Sequence, residues 1–429
     1  MNDSEVLTYI DRHRAELIEF ARELVAAPSV NPPGDESQVA GIISGQFRRL
    51  GLAPARIVSK AEHRPNLIGT VAGNRSGPVL MYCGHMDTKP VGDRGRWQTD
   101  PFDPVIRGEC LYGLGSADMK GGLAAMIYAA AALDSLAQSD RGSLLLVLTA
   151  DEEAGGASGA EYVAREAGLH ADIGLIGEPV GISREWEYLG LISRGETCFR
   201  VKVHGTQMHS SIADLVPSVN ANVKMAEVLT RLARELRFTY QSHPLCPQGV
   251  TMGPGVMVSG GVSYGVLPGY AEFATEVRLL PGMTVEGVKR DVQQFLSEVC
   301  ADDPDLDVEV EFEHGPLRYI APVVVSEEHP FVRRLQAAAE QILGQCPPQG
   351  AFPAWTDARF FDAISGIRTI PAFGPGLLVV THAPNEHVRV ESIVEACKIY
   401  ALAAASYLTG ERETIGSRRR TKRGGALGD

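Results

Sequence analysis

The segment Leu144–Gly156, LLLVLTADEEAGG, joins a continuous apolar run to three adjacent acidic residues, Asp151, Glu152 and Glu153. The apolar run predicts a strand buried on both faces, as in a parallel sheet that is covered by helices. Neighbouring carboxylates repel one another and are costly to bury unless a positive charge compensates them. The segment therefore predicts a buried strand whose carboxyl end needs positive charge from elsewhere.

Similar apolar segments alternate with helical patterns on both sides of this stretch. Further strands are predicted in NLIGTVAG (66–73), PVLMYCGHMD (78–87) and ADIGLIGEP (171–179), and helices in GGLAAMIYAAAALDSL (121–136) and GAEYVAREAG (159–168). Such alternation is typical of an α/β fold with a mostly parallel central sheet and helices on both faces.

The pattern changes near Gly190, where ETCFRVKVHG (196–205) alternates as a half-exposed strand does. A helix, two more strands and a second helix follow, which together indicate a small α+β domain inserted into the first one. The predicted divisions are residues 1–188 with 304–412 for the α/β domain, and 189–303 for the inserted α+β domain. The basic end, SRRRTKRGGALGD (417–429), is predicted to belong to a disordered tail over 413–429 rather than to a site for anions.

Composition excludes several classes of partner. The 429 residues carry a formal net charge of −13, which argues against nucleic acid because phosphate binding needs a basic surface. No apolar run approaches the roughly 20 residues that span a bilayer, and the amino terminus does not resemble a secretion signal. Seven cysteines without a C-x-x-C pair indicate reduced thiols, so we expect a cytoplasmic protein.

Acidic and imidazole side chains follow several of the predicted strands. His85 and Asp87 end one strand, Glu178 ends another, and Asp118 opens a helix after a glycine-rich turn. Since the carboxyl ends of parallel strands meet at one edge of a sheet, these groups and the two glutamates should converge. Carboxylates and histidine around one crevice predict a divalent metal such as zinc, manganese or cobalt.

Each of these features has a simpler explanation when it is taken alone. A strand-end His or Asp is more often a capped or solvent-paired residue, and the acidic pair could be a solvated helix start. The turn GLGSAD (113–118) resembles a dinucleotide fingerprint but lacks the third glycine, which argues against a nucleotide-dependent oxidoreductase. The combination is specific for a metal centre. It consists of four motifs in this order: His85 with Asp87, Asp118, Glu152 with Glu153, and Glu178.

From PSVNPPGD (28–35) to ACKIYALAAA (396–405), including THAPNEHV (381–388), the sequence resembles a family of co-catalytic metallohydrolases. Its members are aminoacylases, acetylornithine deacetylases, succinyl-diaminopimelate desuccinylases and glutamate-type carboxypeptidases. The resemblance implies that residues 1–188 and 304–412 form a metal-binding catalytic domain and that 189–303 form a lid and dimerisation domain. It implies two divalent metal ions per subunit, with zinc favoured, manganese or cobalt as alternatives, and an empty second position left open. It also implies roles for seven residues: His85 and Glu178 would bind one metal, Glu153 and His382 the other, Asp118 would bridge both, Asp87 would fix the tautomer of His85, and Glu152 would be the general base.

The same resemblance implies the substrate contacts and the partner. His209 would reach across a homodimer, or a higher homo-oligomer, into the neighbouring site and stabilise the oxyanion. Arg278 would pair with the carboxylate of a small-molecule substrate, and the backbone around Gly374 and Gly376 would help to hold it. Two departures stand out: Gly265 occupies the place of an expected asparagine, and Trp355 the place of a small residue.

The sequence thus predicts a hydrolase of a C–N bond, such as that of an N-acyl amino acid, in which metal-bound hydroxide attacks and Glu152 moves the proton. Trp355 is more readily a packing residue, but together with Gly265 it suggests a pocket for a flat or aromatic substrate. An exopeptidase and an aminohydrolase of activated aromatic amines therefore remain alternatives. A non-catalytic binding protein is a remote one, because none of the expected ligands is missing.

Overall fold

The computed structural model describes residues 3–73, 77–136, 141–313 and 319–410. The predicted tail over 413–429 lies outside these ranges. The helices, with α9 a single turn, are α1 (Asp3–Arg12), α2 (Arg14–Ala26), α3 (Ser37–Arg49), α4 (Gly121–Ser135), α5 (Ala160–Glu166), α6 (Ala221–Glu235), α7 (Val285–Asp302), α8 (Pro330–Leu343), α9 (Ala358–Phe360) and α10 (Val390–Leu408).

The central sheet has six strands, which lie side by side in the order β1 (Arg56–Ser59), β2 (Pro65–Val71), β6 (Ser143–Thr149), β3 (Val79–His85), β7 (Ile173–Ile176) and β19 (Thr369–Ile370). Strands β6, β3, β7 and β19 run parallel to one another. At one edge β2 runs antiparallel to β6, and β1 runs antiparallel to β2. The segment quoted first forms β6, which lies in the interior of this sheet. Its unbroken apolar character follows from burial on both faces.

Helices cover both faces of the central sheet. Successive side chains of a strand point to opposite faces, and in β3 Leu80 and Tyr82 pack in one apolar cluster with α4 and α10. Met81 and Cys83 pack in a second cluster with α5 and Phe361. Helix α4 is buried around nearly its whole circumference, which explains why its sequence is rich in alanine and apolar on every side.

A second sheet has its own core. Its strands lie in the order β12 (Thr251–Gly260), β14 (Tyr270–Leu279), β10 (Gly195–His204) and β15 (Asp307–Phe312), and β16 (Tyr319–Ile320) also pairs with β10. Helices α6 and α7 pack on this sheet around a separate apolar cluster. The predicted fold class, a mostly parallel α/β unit with an added α+β unit, is confirmed. The sheet continues past residue 303, where the sequence suggested that the insert ends, and the domain limits stay predictions.

Shorter strands complete the structure. They form four small sheets: β11 (Met208–His209) with β13 (Val266–Leu267); β17 (Val323–Val324), β9 (Leu189–Ser193) and β18 (Gln349–Phe352); β20 (Gly374–Leu377) with β8 (Pro179–Gly181); and β21 (His387–Arg389), β5 (Cys110–Tyr112) and β4 (Val105–Arg107). All seven cysteines are free thiols. In the described ranges no helix combines the length and the apolar character needed to cross a bilayer.

The interior position of β6 can be tested through its core. Leu148 is fully buried, so Leu148→Ala should lower the free energy of unfolding by about 2–5 kcal/mol, as measured by urea denaturation. Ile57 on β1 is 62% exposed, and Ile57→Ala should cost about 0.5 kcal/mol or less. Equal losses in the two variants would contradict a buried β6 in the interior of the sheet and an exposed β1 at its edge.

Candidate metal centre

The ends of three parallel strands bring the acidic and imidazole groups together. His85 is the last residue of β3, the central strand of the three, while Glu152 and Glu153 follow β6 on one side and Glu178 follows β7 on the other. Asp118 lies in the turn before α4. His382 follows a short helical turn, Leu378–Val380, after β20.

These side chains form two groups, each of which could hold a metal ion. One contains His85, Asp118 and Glu178, and the other contains Asp118, Glu153 and His382. Asp118 belongs to both: its Oδ1 lies 3.0 Å from His85 Nε2, and its Oδ2 lies 3.2 Å from His382 Nε2. His85 Nε2 is also 3.4 Å from Glu178 Oε1, and His382 Nε2 is 3.2 Å from Glu153 Oε2. The carboxylate expected to bridge two metals therefore lies between the two imidazoles.

Charge crowding shifts the titration of these groups. Burial, reinforced by the Asp118 charge, raises the pKa of Glu178 to about 7, and burial raises the pKa of Glu152 well above its usual range. Burial would lower the pKa of His382, but hydrogen bonds to Asp118 and Glu153 raise it to about 10. At His85 burial likewise lowers the pKa, but hydrogen bonds to the neighbouring carboxylates raise it by more and hold it well above its usual range. The cluster therefore strongly favours the presence of positive charge.

Asp87 supports the cluster through both its main chain and its side chain. His85 Nδ1 donates to the backbone carbonyl of Asp87 at 3.0 Å, while the Asp87 carboxylate oxygen Oδ1 lies 3.6 Å from this nitrogen. That carboxylate instead accepts the backbone N–H groups of Glu152 and Glu153, at 3.2 and 3.0 Å. Asp87 thus directs His85 Nε2 toward the other ligands through its main chain, and its side chain fixes the turn that carries both glutamates.

Asp151, the first acid of the triplet, is compensated by a residue that sequence reasoning missed. Its Oδ1 lies 2.5 Å from Arg64 NH2 and 3.1 Å from the Asn31 side-chain amide. Arg64 also lies 3.0 Å from the buried carboxylate of Glu36. Arg64 immediately precedes β2, and because β2 runs antiparallel to β6, the start of β2 lies beside the end of β6.

Glu386 was also missed, although it lies in the same motif as His382. It is buried, and its carboxylate accepts the backbone N–H groups of Gly115, Ala117 and Asp118 at 2.9, 3.0 and 3.0 Å. It thereby fixes the turn that presents the shared aspartate. An acid only four residues after a predicted ligand was the available signal.

A cavity of about 420 Å³ opens onto the cluster. Asp118, Glu152, Glu153, Glu178 and His382 line it, together with Lys89, Glu196, Arg278, Phe352, Ala354, Trp355 and Leu378. Arg278 and Trp355 are therefore beside the cluster, as expected for residues that contact substrate. Arg278 is not free, since its NH1 lies 2.5 Å from Glu196 Oε2.

The remaining predicted site residues lie outside the described wall of this cavity. A side chain at Gly374 would meet the carbonyl oxygen of Gly177 at 1.9 Å, so this glycine allows β20 to pack against the backbone that carries Glu178. Gly376, with φ +105, packs against Ala117. His209 is exposed, and its Nδ1 interacts with the Ser211 hydroxyl at 2.8 Å. Gly265 accepts a hydrogen bond from the backbone N–H of Ser210, next to His209.

Comparison with known proteins agrees with this geometry. Residues 81–406 match the model of peptidase family M20/M25/M40. The chain belongs to this family. The predicted class is thereby confirmed: the protein is a metallohydrolase that acts on C–N bonds.

Two curated members of the family show how far the similarity extends. A succinyl-diaminopimelate desuccinylase of Gluconacetobacter diazotrophicus is 29% identical over 396 residues, which cover 89% of this chain and 94% of that protein. An acetylornithine deacetylase of Proteus mirabilis is 30% identical over 380 residues, or 86% and 91% of the two chains. The crystal structure of aminopeptidase PepT from Bacillus cereus shares the fold, with a TM-score of 0.71 and 19% identity over 92% of this chain and 99% of that one.

The role of Glu386 gives a test of how the centre is positioned. In Glu386→Gln an amide –NH2 group would face at least one of the backbone N–H donors, so the turn around Asp118 should shift. We expect zinc affinity, measured by isothermal titration, to fall about 10- to 100-fold. Glu391→Gln, which changes a glutamate paired with Arg14 away from the centre, is the control and should bind zinc normally. Unchanged affinity in Glu386→Gln would show that this contact does not position the ligands.

Proposed function

We propose that the protein is a dinuclear metal-dependent N-deacylase, which hydrolyses the amide of a small N-acyl compound that carries a carboxylate. One observation carries the proposal: the two ligand groups share Asp118, and Glu152 lies buried in the same cavity without belonging to either group. The desuccinylase and the deacetylase named above support an amide substrate.

The donor set fits two divalent cations. The carboxylates of Asp118, Glu152, Glu153 and Glu178 line the cavity with the imidazole of His382, and the buried imidazole of His85 lies 3.0 Å from Asp118. Imidazoles bind metal in their neutral form. Among the described residues, none supplies a hydrogen-bond partner for the buried Glu153 Oε1. Imidazole and carboxylate ligands suit zinc best, and manganese or cobalt would also fit.

The proposed residue roles follow from position. His85 and Glu178 would hold one cation, Glu153 and His382 the other, and Asp118 both. Cations held there would polarise the scissile carbonyl and lower the pKa of water. Glu152 would accept a proton from the attacking water and pass it to the departing nitrogen, since its carboxylate faces the cavity and its backbone is fixed by Asp87.

Arg278 and Trp355 are proposed to contact the substrate, because both line the cavity. Arg278 would pair with the substrate carboxylate, exchanging part of its contact with Glu196. Gly374 and Gly376 would act indirectly, through the backbone beside Glu178 and Ala117. A second candidate function is an aminohydrolase of aromatic amines. It is favoured because Trp355 lines the cavity.

Glu152 is the most direct test of the mechanism. In Glu152→Gln the side chain cannot accept a proton, so kcat/KM for N-acetylornithine should fall about 10²- to 10⁴-fold while zinc content, measured by atomic emission, stays at the wild-type value. Because the base works only when deprotonated, wild-type kcat/KM should rise with pH through the pKa of Glu152, and this limb should disappear in the variant.

Glu161→Gln on α5 is the matched control, since Glu161 pairs with Arg165 on the surface. A panel of N-acetylornithine, an N-succinyl amino acid, a dipeptide and an aryl amine, run after removal and replacement of metal, separates the candidates. Release of ammonia from the aryl amine without amide hydrolysis would overturn the deacylase assignment. Residual wild-type rates in Glu152→Gln would remove Glu152 as the base.

We further propose that the protein is a cytoplasmic homodimer in which His209 completes the neighbouring site. Seven free cysteines are compatible with a reducing compartment. Strand β12 ends the strand order of the second sheet, and its Val256 and Val258 are 53% and 56% exposed. Exposed apolar side chains on an edge strand commonly indicate a pairing surface. His209 is itself exposed and available to a partner.

The dimer can be tested at this edge. Val258→Lys should convert a dimer into a monomer in sedimentation velocity, because a buried lysine would oppose pairing. If His209 acts in the partner's site, kcat should fall by about 10²-fold or more together with dimer loss. Ile57→Lys, at the exposed edge of the central sheet, should leave both unchanged. A monomeric wild-type enzyme, or a fully active monomeric variant, would contradict the proposal.

A further inference from the structure

The lining of the cavity combines apolar and charged residues. Phe352, Ala354, Trp355 and Leu378 are apolar, whereas Lys89, Glu196 and Arg278 are charged. Phe352 is buried, and Trp355 is partly exposed at the cavity. A cavity of about 420 Å³ accommodates a ring as well as the reacting amide and a carboxylate.

One face of the Trp355 ring lies against a guanidinium group. The guanidinium carbon of Arg359 lies 4.3 Å from the centre of the Trp355 ring and 4.2 Å from the centre of the Phe360 ring. Arg359 is 7% exposed, and its NH2 donates to the carbonyl of Gly155 at 2.9 Å. A planar cation fixed in this way between two rings restrains the indole and keeps it at the wall of the cavity.

The cation also limits what can lie on the other face of the indole. A ring that already interacts with a guanidinium is a poorer partner for a second cation, because the two positive charges repel one another across the ring. A neutral planar ring does not meet this repulsion and gains from offset stacking. The restrained indole therefore favours an aromatic group over a flexible ammonium chain.

From these contacts we infer that Trp355, backed by Arg359, is a stacking platform that selects substrates with a neutral aromatic ring next to the scissile amide. The inference rests on the proposed deacylase function and names its substrate class. The ring could belong to the acyl group or to the amino-acid side chain. Both have the same chemistry, and the experiment separates them.

Matched pairs of ligands test for a planar ring. N-benzoylglycine is compared with N-cyclohexanecarbonylglycine, and N-acetylphenylalanine with N-acetylcyclohexylalanine. Within each pair the carbon count is the same, and the ring is aromatic and planar in one member and saturated in the other. In the wild-type metal-loaded enzyme we expect kcat/KM to favour the aromatic member about three- to tenfold in one pair, and that pair identifies the position of the ring.

Variants assign the preference to the platform. Trp355→Leu should bring the ratio within the selected pair to about one while the enzyme still hydrolyses the saturated compound, and Trp355→Phe should retain most of the preference. Trp97→Leu is the matched control, since Trp97 lies outside the described cavity wall and bonds through its indole N–H to Val91. Its ratio should equal that of the wild type.

Binding separates failure of this inference from failure of the proposed function. Dissociation constants of the same four compounds, measured by calorimetry with the metal-loaded Glu152→Gln enzyme, should show the same preference for the aromatic member. If no amide is hydrolysed but this preference is present, the deacylase reaction is wrong and the platform stands. A ratio near one in both pairs, or an unchanged ratio in Trp355→Leu, would overturn the platform.

Discussion

The structure depends on three parallel strands ending at the same edge of one sheet. Strands β6, β3 and β7 are neighbours, and each ends in groups that carry or attract charge: two glutamates, a histidine and a third glutamate. Burial of so many carboxylates is unfavourable unless positive charge or N–H donors surround them. The residues around these strand ends supply the cations and N–H donors that meet this requirement.

The carboxylates are of two kinds, which differ in the partners that surround them. Asp151 is matched by Arg64 and Asn31, while Asp87 and Glu386 accept backbone N–H groups from the turns that they hold. These acids are satisfied by protein alone and act as supports. Asp118, Glu153 and Glu178 instead face two imidazoles and a cavity. The site therefore separates acids that build the scaffold from acids that remain available to cations.

Sequence patterns predicted what depends on local order along the chain. The apolar runs of β6 and β3 and the residues at their ends were enough to expect a parallel sheet and a cluster at its edge. Arg64 could not be foreseen, because its position beside Asp151 depends on the antiparallel pairing of β2 with β6. Glu386 depends on its contact with a turn 268 residues earlier, and Arg359 is held by the carbonyl of Gly155, 204 residues earlier. Asp87 meets His85 Nδ1 through its main-chain carbonyl, while its carboxylate holds the turn of the two glutamates, a division that no sequence motif contains.

The segment from Thr381 to Val388 has a consequence for biosynthesis. It provides His382, and through Glu386 it also secures the turn of Asp118, which was synthesised 268 residues earlier. A nascent chain emerging from the ribosome can form the central strands before this segment exists, but it then lacks both the second imidazole and the anchor of the shared aspartate. The proposed centre can therefore hold both cations only after synthesis has passed Glu386.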